Sequence, residues 1–220
     1  MMLCCRSGRF ESYYIQLTPM KNQTKQNLFI ELTVFGVLMM LAVISRFWLV
    51  EIPNFKPVAA IALLSGMLFS RFYLAMALPV CAMLLSDYQI GSYETPVMLA
   101  VYGSLLLCPL IGWAVAKGSK SLQSNRTQMG GLVFGSALLM SVMFFLITNF
   151  AVWQVFYGGI LSELWVCYAA AIPFFKYTLL SNVVFSLGGL AVYWIISDLH
   201  AKLMNPASGF ASLPATSTKA

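Results

Sequence analysis

The side chains that could do chemistry are few, and they stand at or near the ends of long apolar runs. Guanidinium, ammonium, carboxylate and amide groups at such places can pair with opposite charges or hydrogen-bond a small solute. Because a polar group among apolar residues is costly to keep, each of these side chains is a candidate for function. The candidates are Arg46, Glu51, Asn54, Lys56, Asp87, Asn149, Trp153, Lys176 and Asn182.

Catalysis is not indicated by these residue types. Asp87 has no acidic neighbour with which to do paired-carboxylate chemistry. The chain has no GxxxxGK[ST] phosphate loop, so we do not expect it to hydrolyse ATP itself, and it has neither HExxH nor GxSxG. Its single histidine, His200, follows the last apolar run, which argues against a histidine-based metal site or proton relay. We therefore predict no catalytic residue, no metal ligand and no cofactor.

Four apolar runs must position these side chains. They cover residues 28–50, 97–116, 130–149 and 177–197, and each approaches or exceeds the ~20 residues that cross ~30 Å of hydrocarbon. Of all residues 60% are hydrophobic and 9% are charged, whereas a soluble domain carries about 25% charged residues. Backbone groups in lipid must be satisfied within each segment, so the sequence predicts an all-α polytopic membrane bundle.

The region 58–85 lies between the first two of these runs and contains two shorter ones, 58–69 and 74–85. They predict two short or tilted helices, a re-entrant hairpin or one kinked span. With two segments here, the bundle has about six segments, of which the second and third are short. The predicted organisation is a polar, disordered N-terminal tail over 1–27, one transmembrane domain over 28–197 and a disordered C-terminal tail over 198–220.

The basic residues predict the orientation of the chain in the cell inner membrane. The net charge is +6, but no nucleic-acid-binding motif accompanies it, so we expect no nucleic-acid partner. With six segments and cytoplasmic termini, the loop 87–96, which lacks Lys and Arg, lies outside, as the positive-inside rule requires. In this arrangement, ten of the 13 basic residues lie inside: Arg6, Arg9, Lys21, Lys25, Arg71, Lys117, Lys120, Arg126, Lys202 and Lys219. A single crossing by 58–85 would instead place the loop 87–96 inside and the basic loop after residue 116 outside, against the rule.

On this topology the candidate residues gather at the outer end of the bundle, and five separate segments contribute them. A purely structural role is the alternative for each. Arg46, Lys56 and Lys176 could extend to lipid headgroups without binding anything else. Asp87 and Asn149 could satisfy free backbone groups at helix ends.

Two further patterns concern the C-terminal half. The segment 164–175 is too short to cross easily, and it predicts an interfacial helix that is either a lid over a pocket or a passive element. In the last run, spacings of four and three place small and polar side chains on one face, which fits either a polar lining or helix packing. These residues are Thr178, Asn182, Ser186, Gly189 and Tyr193.

Four separated motifs carry a family resemblance: PNFKPVAAIALLSG, PVCAMLLSDYQIGSY, FFLITNFAVW and CYAAAIPFFKYTLLSNVVFS. In this order, and over about residues 46–190, they resemble a family of uncharacterised bacterial multi-pass membrane proteins. That family in turn looks like the substrate-binding S components of energy-coupling factor vitamin transporters, in its six short helices, cytoplasmic termini and small size.

The resemblance implies a substrate pocket near the outer side, closed by the loop after the first helix and by later outer loops. The implied function is capture of a small extracellular solute, such as a vitamin or a precursor, for uptake. The implied partners are membrane lipid, the solute, a coupling transmembrane subunit and ATPases. The candidate substrate-binding residues on this interpretation are Asn54, Lys56, Asp87, Asn149, Trp153, Lys176 and Asn182.

Two alternatives to solute capture remain open. The first is a non-transport scaffold or assembly subunit, and the second is an intramembrane enzyme.

S components often carry an Ala-rich, four-spaced patch on the first helix that docks the coupling subunit. Residues 28–46 have no such patch, and the nearest equivalent is Ala62 and Gly66 in the second segment.

Overall fold

The computed structural model of the chain describes residues 26–49, 54–91, 94–121 and 125–204. Six α-helices form a bundle, and these residues contain no strand. Five of the helices are long and apolar enough to cross a membrane. The prediction of an all-α bundle with about six segments is therefore confirmed. The elements are α1 Gln26–Trp48, α2 Val58–Leu68, α3 Phe72–Ile90, α4 Thr95–Ser121, α5 Arg126–Phe156, a 3₁₀ turn Leu161–Glu163 and α6 Leu164–Met204.

The region 58–85 forms two helices, α2 and α3, joined by a short turn at 69–71. Helix α2 has 11 residues, of which ten are buried, and it packs against α3, α4 and α6. It is apolar on every side because neighbouring helices surround it. Helix α3 has 19 residues and is longer than its apolar run, since Phe72, Tyr73 and residues 86–90 join the helix. The expectation of a short third segment is therefore wrong.

The backbones of α2 and α4 touch directly. A Cβ atom on Gly66 would overlap the carbonyl group of Pro109, and one on Gly112 would overlap the carbonyl oxygen of Leu63. Only glycine permits so close an approach. Ala62, in the same ridge as Gly66, is fully buried. The Ala62–Gly66 ridge is the nearest equivalent of a docking patch in the sequence. It is therefore covered by another helix of the same chain.

Two ion pairs join α1 to α3 and to the residue that precedes it, and the one between Arg46 and Asp87 is buried on both sides. Near the end of α1, Arg46 Nη2 lies 2.8 Å from Asp87 Oδ1. Near its beginning, Glu31 Oε2 lies 2.9 Å from Arg71 Nη1, and Glu31 Oε1 accepts from the Ser70 backbone N–H at 3.2 Å. Early residues of α1 thus meet the start of α3, and late residues meet its end, so the two helices run in parallel. We call the two ends of the bundle the Asp87 end and the Arg71 end.

Helices α5 and α6 form a long hairpin. Helix α5 has 31 residues and α6 has 41, which correspond to about 46 Å and about 60 Å. The predicted interfacial helix at 164–175 is not a separate element, because it forms the first turns of α6 and continues through Pro173. Proline is tolerated in a packed membrane helix when neighbouring groups satisfy the freed carbonyl. The expectation of a lid or a passive interfacial helix is therefore wrong.

The predicted domain limits change slightly at both ends. Helix α1 begins at Gln26, and α6 runs on through Asp198 to Met204, so residues 198–204 are helical rather than tail. The rest of both predicted tails lies outside the described residues, as does Glu51.

Candidate functional site

The loop before α2 reaches the centre of the bundle at the Asp87 end. Asn54 adopts a positive φ of 61°, a conformation that asparagine tolerates better than most residues. The Ser181 hydroxyl of α6 donates to the Lys56 carbonyl at 2.7 Å. The Phe55 ring lies 5.5 Å from that of Phe185. These contacts hold the backbone of the loop against α6 and direct the Lys56 side chain into the bundle.

A cavity of about 260 Å³ lies beside this loop, and we call it the charged chamber. Its polar lining is contributed by α1, by the loop and by α6, and its apolar lining by α2, α3, α4 and α5. Helices far apart in sequence therefore converge on one space, as ligand sites in helical bundles do. The lining residues are Arg46, Asn54, Lys56, Val58, Ala59, Met83, Val101, Leu105, Phe144, Thr178 and Asn182.

A second cavity of about 220 Å³ adjoins the first, and we call it the aromatic chamber. The two share Asn54, Val101, Phe144 and Thr178. Four phenylalanine rings from α5 and α6 dominate it, and the Phe145 and Phe175 rings are 4.8 Å apart. The chamber is thus suited to a flat apolar group. Its remaining lining residues are Thr148, Asn149, Val152, Ala171 and Phe174.

Arg46 is buried, and three groups of α3 satisfy its guanidinium. Besides the ion pair with Asp87, its Nη1 donates to the Ser86 hydroxyl at 2.7 Å and lies 2.8 Å from the Met83 sulfur. Asp87 Oδ2 accepts from the Tyr102 hydroxyl of α4 at 2.9 Å. The carboxylate of Asp87 is therefore committed to α1 and α4. Removing either charge would leave the other buried and unpaired.

Lys56 is the other cation on the wall of the charged chamber, and its interactions differ from those of Arg46. The ion pairs among the described residues involve Arg46, Arg71 and Arg126, and none includes Lys56. Its side chain is half-buried. Burial, together with the nearby Arg46 charge, lowers the pKa of Lys56 from its ordinary value, and Asp87 partly offsets this. An ammonium group that forms no ion pair with any described residue thus borders the cavity.

Asn182 lies at the deep end of the charged chamber and is almost fully buried. Its Nδ2 donates to the Ser141 hydroxyl of α5 at 2.9 Å. One turn further along α6, the Ser186 hydroxyl is buried and has no hydrogen-bond partner in the described part of the chain. The polar stripe of α6 therefore contributes Thr178 and Asn182 to the cavity. Further along α6, towards its C-terminus, the stripe serves helix packing, because Gly189 lies against Leu64.

The structure brings four of the seven candidate residues to the cavity wall. Asn54, Lys56 and Asn182 border the charged chamber, and Asn149 borders the aromatic chamber. The Asn149 side chain also donates to the Phe145 carbonyl at 2.8 Å. Asp87 does not border either chamber, but it fixes Arg46, which does.

Trp153 and Lys176 are placed elsewhere. The Trp153 indole N–H donates to the Ile160 carbonyl at 2.8 Å and closes the turn after α5. Lys176 is exposed, and its Nζ lies 4.9 Å from the centre of the Tyr177 ring. Neither residue is among those that line the two chambers.

Sequence reasoning missed most of the apolar lining. Val101, Leu105 and Phe144 have the same residue types as lipid-facing positions, so no pattern marks them. Helical spacing was a usable signal for the aromatic chamber. Phe145, Thr148, Asn149 and Val152 follow the i, i+3, i+4, i+7 rule and share one face of α5.

The fold and the cavity define an all-α, multi-pass membrane protein with a polar cavity at one end of its bundle. The chain belongs to a family of unknown function, DUF6580, whose model matches residues 26–205. No curated protein and no solved structure matches the chain.

Proposed function

We propose that this protein is a substrate-binding subunit that captures a small solute for uptake, similar in role to the S components of energy-coupling factor transporters. The observation that carries the proposal is the two-chamber cavity at the Asp87 end. It combines an ammonium, amide and hydroxyl groups with a cluster of phenylalanine rings. Such a mixture of an apolar wall with few polar groups is typical of small-molecule sites.

Orientation supports access to this cavity from outside the cell. The Arg71 end carries Arg71, Lys117 and Arg126 at or beside its turns, and Lys117 lies 3.7 Å from the Trp113 ring. The positive-inside rule places that end in the cytoplasm. The charged chamber then faces the outer side of the cell inner membrane, and both termini are cytoplasmic.

Uptake by this route would require partners that supply energy. The chain has no phosphate-binding loop, so the proposal includes a coupling transmembrane subunit and ATPases as separate chains. Because the Ala62–Gly66 ridge is buried, a coupling subunit would dock on another surface. Helix α1 is suited to this, since only 11% of its membrane window is buried within the chain.

Ligand-dependent stabilisation of the purified protein tests the proposal. A solute that binds only the folded state stabilises it by about 2.7 kcal/mol at a hundredfold excess over its Kd. We expect at least one solute in a panel of vitamins and their precursors to raise the unfolding temperature in detergent. A panel without any such solute would contradict the proposed function.

A scaffold or assembly subunit is the second candidate function, and the tip of the α5–α6 hairpin favours it. Phe156, Leu161 and Trp165 are 65%, 77% and 82% exposed there. Exposed aromatic clusters are common at protein interfaces. A scaffold would copurify with a stable partner and lose it on Trp165→Ser, without any response to solutes. Solute binding that survives Trp165→Ser would favour capture instead.

A further inference from the structure

The charges around the cavity do not balance. Arg46 and Lys56 are the charged residues among those that line the two chambers. The Arg46 charge is neutralised by Asp87 through a 2.8 Å ion pair. Lys56 makes no ion pair within the described residues. Within the described part of the chain, the wall therefore presents one positive charge without an ion-pair partner.

The half-buried ammonium of Lys56 has lost part of its hydration, so an anion that joins it is favoured. A single carboxylate would balance the charge of Lys56, and a charge-assisted hydrogen bond to ammonium is stronger than one between neutral groups. A phosphate dianion would exceed the available positive charge by one. A cationic amine would add to the existing repulsion.

The remaining groups around Lys56 suit a carboxylate and the body that carries it. Asn54 and Thr178 border both chambers, so their amide and hydroxyl groups lie between the cationic wall and the phenylalanine rings. A ligand that extends from one chamber into the other would place its charged end near Lys56 and its apolar body among Phe144, Phe145 and Phe175.

We infer that the captured solute is a small monocarboxylate with an aromatic or similarly flat apolar body, and that Lys56 is the residue that selects its carboxylate. This inference rests on the proposed function and names the substrate class of that same site. Asp87 has an indirect role. It neutralises the Arg46 charge, so the charge of Lys56 decides whether an acid or its amide binds more tightly.

Matched probes of nearly equal shape test the inference. We would measure binding and thermal shift for nicotinate against nicotinamide, benzoate against benzamide, and phenylacetate against phenylacetamide. Phenyl phosphate and benzylamine would serve as the dianionic and cationic members. For at least one pair we expect the acid to bind wild type about tenfold or more tightly than its amide.

Three variants assign that preference. Lys56→Met should abolish the difference between acid and amide, and Lys56→Arg should keep it because the positive charge remains. Lys176→Met is the matched control, since it removes a lysine of the same bundle end that lies outside both chambers.

The outcomes separate this inference from the proposed function. If amides, benzylamine or phenyl phosphate bind wild type as well as the acids do, the inference is wrong and solute capture stands. The same holds if Lys56→Met keeps the preference or Lys176→Met removes it. If neither these probes nor the vitamin panel shifts the unfolding temperature, the proposed function itself is wrong.

Discussion

At the scale of single residues, the Asp87 side chain joins α3 to two other helices beside the cavity. It pairs with Arg46 of α1 and accepts from Tyr102 of α4, while its own helix supplies Ser86 and Met83 to the same guanidinium. Three helices therefore meet at one carboxylate. Breaking the Arg46–Asp87 ion pair should destabilise the protein more than breaking one surface ion pair would, because both charges are buried.

The first prediction concerns this ion pair. Arg46→Met and Asp87→Asn should each destabilise the protein by about 3–5 kcal/mol, because each leaves a buried partner uncompensated. The double variant should be less destabilised than the sum of the two. A double-mutant cycle on unfolding in detergent measures the coupling, and strictly additive effects would contradict the ion pair.

The second prediction concerns the pH dependence contributed by Lys56. Its pKa is lowered in the folded state by burial and by Arg46, so the unfolded chain holds the proton more tightly. The free energy of unfolding therefore rises with pH between the lowered pKa and the ordinary value of lysine.

Without ligand, wild type should gain stability relative to Lys56→Met as pH rises from about 7 to about 10. Unfolding temperatures of the two proteins over this range test the sign. Lys176→Met, whose lysine is exposed, is the control. A difference that falls with rising pH would contradict the placement of Lys56.

At the scale of elements, α2 determines how the other helices are arranged. It is short and almost wholly buried, and its glycine contact with α4 brings the two backbones together. The loop before it then reaches α6 through Ser181 and Phe185. Tight packing of α2 therefore sets the position of the loop that carries Asn54 and Lys56.

The third prediction follows from that contact. Gly66→Ala should destabilise the protein by about 1–3 kcal/mol, because its methyl group would overlap the Pro109 carbonyl and force α2 and α4 apart. Gly103→Ala in α4 is the control, since nothing lies within 4 Å of its Cβ position. It should be neutral or slightly stabilising. Equal effects of the two changes on unfolding temperature would argue against the close packing.

Sequence reasoning predicted the helices better than their ends. The apolar runs identify α1, α4 and α5, because a helix that faces lipid must be apolar for most of its length. They fail at α6, where Pro173 and the aromatic residues before it resemble a break in the helix. Packing against α5, through contacts such as the Tyr168 hydroxyl to the Leu146 carbonyl at 2.8 Å, keeps that segment helical.

The candidate site was predictable where polarity marks it and unpredictable elsewhere. Asn54 and Lys56 stand out in a short loop, and Asn182 stands out in an apolar helix. The prediction included Lys176 in the site, although helical geometry separates it from the residues of α6 that line the cavity. It lies two residues from Thr178, which is about 200° around the helix and therefore on the opposite face.

At the scale of the whole molecule, the basic turns and the cavity occupy different ends of the bundle. The basic turns lie at the Arg71 end, and the cavity lies at the other. This arrangement separates the basic turns, which the proposed orientation places inside the cell, from Arg46 and Lys56 at the cavity wall.

The fourth prediction tests that orientation in cells. In a background without the five native cysteines, Ser162→Cys should react with a membrane-impermeant maleimide in intact cells, because it is exposed at the Asp87 end. Thr127→Cys, exposed at the Arg71 end, should react only after lysis. The reverse pattern would overturn the proposed orientation and access to the cavity from outside.

The two ion pairs of α1 also have a consequence for biosynthesis. Glu31 and Arg46 leave the ribosome 40 and 41 residues before their partners Arg71 and Asp87. At about 5–20 residues per second, that delay lasts about 2–8 s. During this time α1 carries two unmatched charges, which lipid solvates poorly. We therefore expect α1 to reach its final position only after α3 has arrived and paired with its two charges.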